Sequence, residues 1–275
     1  MPDVGGLEPL ELLYEVEGLP ETCLPADLAR VHGGDLGFPE TCLYANFVAT
    51  VDGIVAIPPM PRSNEFIAGG SDADRFLMGL LRAFADAVLI AAGVLRASPR
   101  GTWLPEGIYP TAAAEYAALR ELLEESTAPE VAVLTGHGSI DPEHPLLESG
   151  ALVLTSEAGA DRLAGRLPTA SSIVVLGRDP QIDPVAVVDA LRARGHRRIL
   201  CEAGPHTFGS LLEAGVVDEL FLTTSPLLVG DAGAGTRFAL VEGADLTPVG
   251  RHARLLSVRR HGSHLFQRYA LTERG

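Results

Sequence analysis

From Leu43 onward the chain alternates short apolar runs with amphipathic ones, and this alternation narrows its fold more than any other feature. Residues 43–51 read as a strand ending at the Asp52-Gly53 turn, and 57–70 as a loop containing Pro and Gly. Ser71 caps a helix in the pattern S-x-x-D, with Asp74 in its first turn. Phe76, Leu77, Leu80, Leu81 and Phe84 form its apolar stripe. Further strands are expected at 87–91, 131–135, 151–155, 173–176, 198–201 and 219–224. Helices are expected at 111–125, near 158–166, from Asp183-Pro184 to Gly195, and from Pro205 to Ala214. Strands alternating with helices imply an α/β fold with a mostly parallel central sheet flanked by helices. The end breaks the pattern: 255–260 and 264–271 flank His261-Gly262-Ser263 as a C-terminal antiparallel hairpin on the sheet's edge. Residues 1–40 are rich in Pro, Gly and acid, with an apolar patch at Leu10, Leu12, Leu13 and Tyr14. They read as an N-terminal extension packed on the outside of a domain spanning 41–275.

Charge narrows the function. Lysine is absent, so all 21 basic residues are arginines, against 36 acidic ones, for a net charge of −15. Such a chain repels a nucleic-acid backbone, and nucleic acid is not expected as a partner. The same field repels anionic cofactors and phosphorylated substrates, which local arginines and backbone N–H groups must then meet. Without lysine, Schiff-base chemistry on that side chain is excluded. Cys23, Cys42 and Cys201 are an odd count without C-x-x-C spacing, and the eight histidines lack metal-ligand spacing. Neither a disulfide framework nor a metal is expected. No apolar run approaches the ~20 residues that span a bilayer, and the acidic start does not read as a secretory signal. A cytoplasmic protein with no membrane partner is expected.

Two strand ends carry candidate ligand groups. Glu202 to Ser210 follow an apolar strand and open a helix, whose first N–H groups would face an anion. Gly204 permits close backbone approach, and Pro205 gives up a donor that had no helical partner. A plain strand–turn–helix connection fits the same residues. Ala91 to Arg96 form a second small-residue strand end, where Arg96 and Arg100 could supply charge to a phosphate; an ordinary turn is the alternative. By residue type alone, Arg82 reads as a solvated or salt-bridged helix arginine, and Asp74 as part of the Ser71 cap. No G-x-S-x-G elbow, P-loop or G-x-G-x-x-G occurs.

Taken in order, several segments resemble one family. They are Ala45-Asn46-Phe47-Val48-Ala49-Thr50-Val51-Asp52-Gly53, Leu81-Arg82-Ala83 with Asp86-Ala87-Val88, Glu202-Ala203-Gly204-Pro205, Val217-Asp218-Glu219-Leu220, Ser225-Pro226-Leu227-Leu228-Val229-Gly230 and Leu265-Phe266-Gln267-Arg268-Tyr269. The family is the riboflavin-biosynthesis pyrimidine reductase domain, the C-terminal domain of the bacterial bifunctional deaminase-reductase, and the head is similar to that of stand-alone actinobacterial members. The resemblance covers about 43–271 and implies a dihydrofolate reductase-like fold. It implies NADPH as cofactor, and 5-amino-6-(5-phosphoribosylamino)uracil as substrate, with the ribosyl group reduced to ribityl. It implies substrate-binding roles for Asn64, Arg82 and Glu202. Cofactor-binding roles are implied for Val48, Phe66, Val94, Thr135, Gly204, Pro205, His206, Thr207, Phe208, Gly209 and Ser210. A single cleft is expected between the Asp52-Gly53 turn and the Glu202 turn. A homodimer is expected too, with Leu220, Phe221 and Leu222 seating its interface. The deaminase's H-x-E…P-C-x-x-C zinc signature is missing, so a single-function reductase is expected.

Two departures from the family pattern lie on the cofactor side. Ala91-Ala92-Gly93-Val94 stands for G-x-G-T, losing a hydroxyl and a glycine, and Glu202-Ala203-Gly204 stands for E-G-G. A positive φ at Ala203 would cost about 1 kcal/mol or more. Two other readings stay open: a dihydrofolate-reductase-like enzyme with Asp74 as the carboxylate facing a pterin, and, suggested by Val94 and Ala203, a divergent NADPH- or ligand-binding member with weak activity.

Overall fold

A computed structural model describes residue 4 and residues 6–58, 60, 62–125, 128–230, 233, 236–247 and 250–271. The chain begins with β1 (Glu11–Glu15), α1 (Ala26–His32), β2 (Cys42–Thr50), β3 (Ile54–Ala56) and α2 (Ser63–Ile67). α3 (Asp72–Phe84) starts where the Ser71 hydroxyl accepts from the Asp74 N–H at 3.2 Å, and its apolar stripe is wholly buried. The middle supplies β4 (Ala87–Ala91), α4 (Ala92–Ala97), α5 (Pro105–Ile108) and α6 (Ala113–Leu122). There follow β5 (Glu130–Thr135), α7 (Pro145–Ser149), β6 (Leu152–Thr155), α8 (Glu157–Leu163) and β7 (Ser172–Val175). α9 (Pro184–Ala193) is capped by Asp183, whose carboxylate accepts from the Val185 N–H at 2.9 Å. The chain closes with β8 (Arg198–Cys201), α10 (Pro205–Glu213), β9 (Glu219–Ser225), β10 (Phe238–Ala239), β11 (Arg254–His261) and β12 (His264–Ala270).

Ten strands form one sheet in the order β1-β11-β12-β9-β2-β8-β4-β5-β6-β7. The seven from β9 to β7 are mutually parallel, and β12, β11 and β1 continue the sheet antiparallel. This is the expected α/β architecture with its terminal hairpin. The hairpin is not the edge, however. β1 pairs outside β11, with Glu11 opposite Arg260 and Glu15 opposite Ser257, leaving Leu12, Leu13 and Tyr14 exposed. Five residues bounded by acids carry too short a pattern to announce a strand; β11's free backbone groups recruit them.

Side chains alternate across the strands and fill a core on each face of the sheet. One core gathers α3 and α6 around Tyr44, Phe76, Phe84 and Phe221, and the other gathers α9 and α10 around Leu191, Phe208 and Leu211. The extension enters the first core directly: Leu10, Leu24, Leu28, Val31 and Leu36 are buried there. Of the expected interface residues, Leu222 is half-buried against the second core, whereas Leu220 and Phe221 are interior, at 5% and 4% exposure, because they pack into the cores on opposite faces of the sheet. They cannot seat an interface between subunits. The region 57–70 is not all loop, since α2 forms within it and anchors itself through buried Ile67. Among the described residues, no helix is long and apolar enough to cross a membrane.

Candidate functional site

The carboxyl ends of parallel strands collect the polar side chains that the cores exclude. Glu202 follows β8 directly, and Arg82 projects from the last turn of α3. They meet in a two-pronged ion pair: Arg82 Nε donates to Glu202 Oε1 at 3.1 Å and Nη2 to Oε2 at 2.7 Å, with both side chains about nine-tenths buried. Arg82 Nη1 donates to the Leu104 carbonyl at 3.4 Å, so the segment before α5 closes over the pair. A guanidinium has five N–H donors, and these contacts use three. Two implied substrate residues, 120 positions apart, thus form one planar unit with donors and carboxylate lone pairs to spare.

Asp74 lies on the same side of the sheet. The Ser71 cap uses its backbone N–H alone, and its carboxyl is buried, at 6% exposure. Burial pushes the Asp74 pKa up, opposed by the adjacent Thr223 hydroxyl, His264 and Arg75, and reinforced by Glu202. The residues-only reading of Asp74 as a cap therefore accounts for its main chain and leaves its side chain unexplained. On β9, Thr223 and Ser225 share the face of Phe221, opposite Val48 and Thr50 of β2. The Ser225 hydroxyl is buried with no hydrogen-bond partner among the described residues, and the buried Thr223 hydroxyl faces the Asp74 carboxyl. Thr223 and Ser225 were not among the residues read from the sequence. Their signal was a polar Thr-Thr-Ser ending on an otherwise apolar strand.

On the other flank, a cavity of about 320 Å³ opens at the ends of β4 and β5, walled by Gly93, Arg96, Thr135, His137, Ser139 and Thr207 among others. Thr135 is placed there, and its hydroxyl accepts from the Ser139 N–H at 3.2 Å, shaping the turn that carries His137. Gly204 has φ +84°, ψ 172°, a conformation that only glycine adopts freely, and it aims the start of α10 at the cavity. Pro205 lacks an N–H, and the Phe208 N–H already bonds the Gly204 carbonyl at 3.0 Å. The first-turn donors are therefore those of His206 and Thr207.

The remaining residues of that segment lie elsewhere. Phe208 packs its ring on Phe47 inside the core at 5.0 Å. Gly209 lies under the Glu242 carbonyl, where a Cβ would come within 2.4 Å. Ser210 is exposed and donates to the His206 carbonyl at 3.2 Å. Val94 is half-buried against the core and does not wall the cavity; its Cγ2 lies 3.5 Å from where a Gly204 Cβ would be. Ala203 does not take a positive φ, so the Ala in Glu202-Ala203-Gly204 brings no backbone strain.

Val48 is buried with Ile57, Ile67 and Ala68, while Asn64 and Phe66 are exposed on α2. The Asp52-Gly53 turn does not wall the cavity, so the single cleft expected between it and the Glu202 turn is resolved into two flanks. Asp52 instead braces the loop after β9. Its carboxylate accepts from the Thr50 hydroxyl at 2.5 Å and the Gly230 N–H at 2.6 Å, and these bonds hold its pKa below the ordinary value. Among the described residues, no cluster could hold a metal ion.

Residues 41–265 match the family model of the RibD C-terminal domain. The chain belongs to the RibD C-terminal domain family. Solved structures share the family fold. A pyrimidine reductase-like protein from Corynebacterium diphtheriae is 22% identical, with a TM-score of 0.65 over 91% of this chain and 96% of that one. RibD from Acinetobacter baumannii is 16% identical, with a TM-score of 0.61 over 89% of this chain but 60% of its own length. A riboflavin biosynthesis reductase from Saccharomyces cerevisiae is 10% identical, with a TM-score of 0.57 over 87% of this chain and 94% of that one. No curated protein matches the chain in sequence.

Proposed function

We propose that this RibD-family oxidoreductase is the pyrimidine reductase of riboflavin biosynthesis. It would use NADPH to reduce the ribosyl group of 5-amino-6-(5-phosphoribosylamino)uracil to ribityl. One observation carries the reading: the β8–α10 turn joins Glu202, gripped by Arg82, to Gly204 and the helix N-terminus that faces the cavity. Substrate-side and cofactor-side groups stand two residues apart, as hydride transfer between two bound molecules requires. The cavity fits a nucleotide by size, within the usual range of about 300–1,000 Å³ for small-molecule pockets. It also fits by chemistry, offering Arg96, the first N–H groups of α10 and glycine backbone. When bound, the cofactor supplies the hydride.

The chain's own part is positioning. Arg82 locks Glu202 into one orientation, and the spare carboxylate lone pairs accept a sugar hydroxyl while the two unused Arg82 donors face the substrate's acceptors. Asn64 and Phe66 on α2 would close the outer side. Within this reading the protein is a cytoplasmic homodimer. The exposed Leu12, Leu13 and Tyr14 on the free edge of β1 offer it the apolar surface that interior Leu220 and Phe221 do not.

The buried Asp74 carboxyl, with its raised pKa, favours one second reading, a dihydrofolate-reductase-like activity. Oxidation of NADPH measured separately with the aminouracil phosphate and with dihydrofolate decides. Turnover of the first alone supports the proposal, turnover of the second alone replaces it, and NADPH binding without turnover of either points to a divergent ligand-binding member.

A further inference from the structure

The segment between α4 and α5, which closes over the Arg82–Glu202 pair, contains a strained residue. Trp103 has φ +54°, in the left-handed region. Among the described residues Arg62 and Glu124 also take a positive φ, but both are exposed, whereas Trp103 is buried at 5% exposure. A bulky side chain persists in that region only where its surroundings over-determine it.

The surroundings of Trp103 do so. Its indole joins the core that holds α3 and α6. The outer ring atoms Cη2 and Cζ3 lie 2.7 and 2.8 Å from where a Gly101 Cβ would be, so only glycine fits beneath them. His144 stands beside the indole, with ring centroids 6.3 Å apart. Its Nδ1 accepts from the Leu146 N–H at 3.1 Å and its Nε2 donates to the Ser98 carbonyl at 3.0 Å, tying α7 to the start of the segment.

The backbone carries this anchorage to the site. Leu104 precedes Pro105, which holds it extended, with ψ 149°. A left-handed Trp103 followed by an extended Leu104 turns the Leu104 carbonyl inward, onto Arg82 Nη1 at 3.4 Å. Any other φ at position 103 sends the chain in another direction and removes that acceptor. Glu202 grips Arg82 through Nε and Nη2, and the Leu104 carbonyl holds the plane of the pair against rotation.

We propose that Trp103 is a positioning residue for the substrate. Its buried indole keeps the Leu104 carbonyl on Arg82 and so sets the plane in which Arg82 and Glu202 meet the sugar. The assignment rests on the pyrimidine-reductase reading above and adds to it a residue that acts through Arg82.

Steady-state kinetics with NADPH and the aminouracil phosphate test it on the parent, Trp103→Ala, Gly101→Ala and Gly101→Ala/Trp103→Phe. Trp103 is the chain's one tryptophan, so its emission reports on the indole directly. In Gly101→Ala the new Cβ drives the indole from its seat, read as a red-shifted emission. KM for the aminouracil phosphate should rise about tenfold, the scale of one hydrogen bond to a charged group. KM for NADPH should not move, and Trp103→Ala should show the same split. Phe lacks the outer ring atoms that meet the Cβ, so the double variant should recover the parent KM. A displaced indole with an unchanged aminouracil KM, equal rises in both KM values, or no recovery in the double variant overturns the role of Trp103. A parent protein that does not turn over the aminouracil phosphate overturns the pyrimidine-reductase reading, and this assignment with it.

Discussion

Val94 stands where a hydroxyl would serve a cofactor, yet its methyl groups lie against the core and beside Gly204. Val94→Thr is expected to lower the melting temperature, at a cost of about 1 kcal/mol for a hydroxyl in apolar surroundings. NADPH affinity measured by calorimetry should not improve, and a tighter complex would show that the position reaches the cofactor after all. Asp74 makes a pH-dependent prediction. Its folded pKa is raised, so the fold favours the neutral acid, and this stability is full below the ordinary carboxylate value near 3.8 and is lost as pH rises through the raised one. Asp74→Asn should therefore be more stable than the parent at neutral pH and match it at the acid end, as read from urea midpoints at both. The Arg82–Glu202 pair predicts the opposite kind of change. Arg82→Met strands a buried carboxylate and should cost about 3–5 kcal/mol. The double variant Arg82→Met/Glu202→Gln should lose markedly less than the sum of the single changes.

At the scale of elements, the joints between strands and helices decide what the site can hold. Glu130 opens β5 and binds the turn between α9 and β8, accepting from Arg194 at 2.9 and 2.6 Å and pairing with His196 at 2.7 Å. The His196 hydrogen bond, then those of Arg194, bring the Glu130 pKa down to about 2 despite partial burial. Stability from this joint is present above the ordinary value of 4.5 and lost as pH falls toward 2, amounting to about 3 kcal/mol at most. An NMR titration of Glu130 should show the low midpoint, and the stability gap between the parent and Glu130→Gln should shrink as pH falls from 4.5 toward 2. Strands with clear apolar runs, such as β4 and β5, were legible in the sequence because they are buried on both faces. α4 was not, because it begins at Ala92 with no connecting loop after β4 and spans only six residues. β1 was not, because its residues stay exposed and only the β11 ladder makes them a strand.

For the molecule as a whole, the extension is the part whose removal tells most. Leu10, Leu24, Leu28, Val31 and Leu36 are buried in the core that also holds α3. At about 1.5–3 kcal/mol for each buried side chain, they match the whole net stability of about 5–15 kcal/mol usual for a domain. Residues 41–275 expressed alone should therefore lack a cooperative melting transition, although the family match begins at 41. Association through the free edge of β1 predicts that Leu13→Arg shifts a dimer to monomer in analytical ultracentrifugation. A dimer that survives the change would place the interface elsewhere.

The main alternation of strands and helices after Leu43, the glycine at 204, the cap at Ser71 and the need for arginine wherever an anion binds were written locally, in patterns a few residues long. Local sterics and hydrophobic period fix such features without reference to the rest of the chain. The pairing of Arg82 with Glu202, the burial of the Thr223 hydroxyl against Asp74, and the withdrawal of Val94 and Phe208 from the cavity are contacts between distant segments. Their outcome depends on strand order and register, because a shift of one residue turns every side chain to the opposite face. Tertiary structure alone decided them.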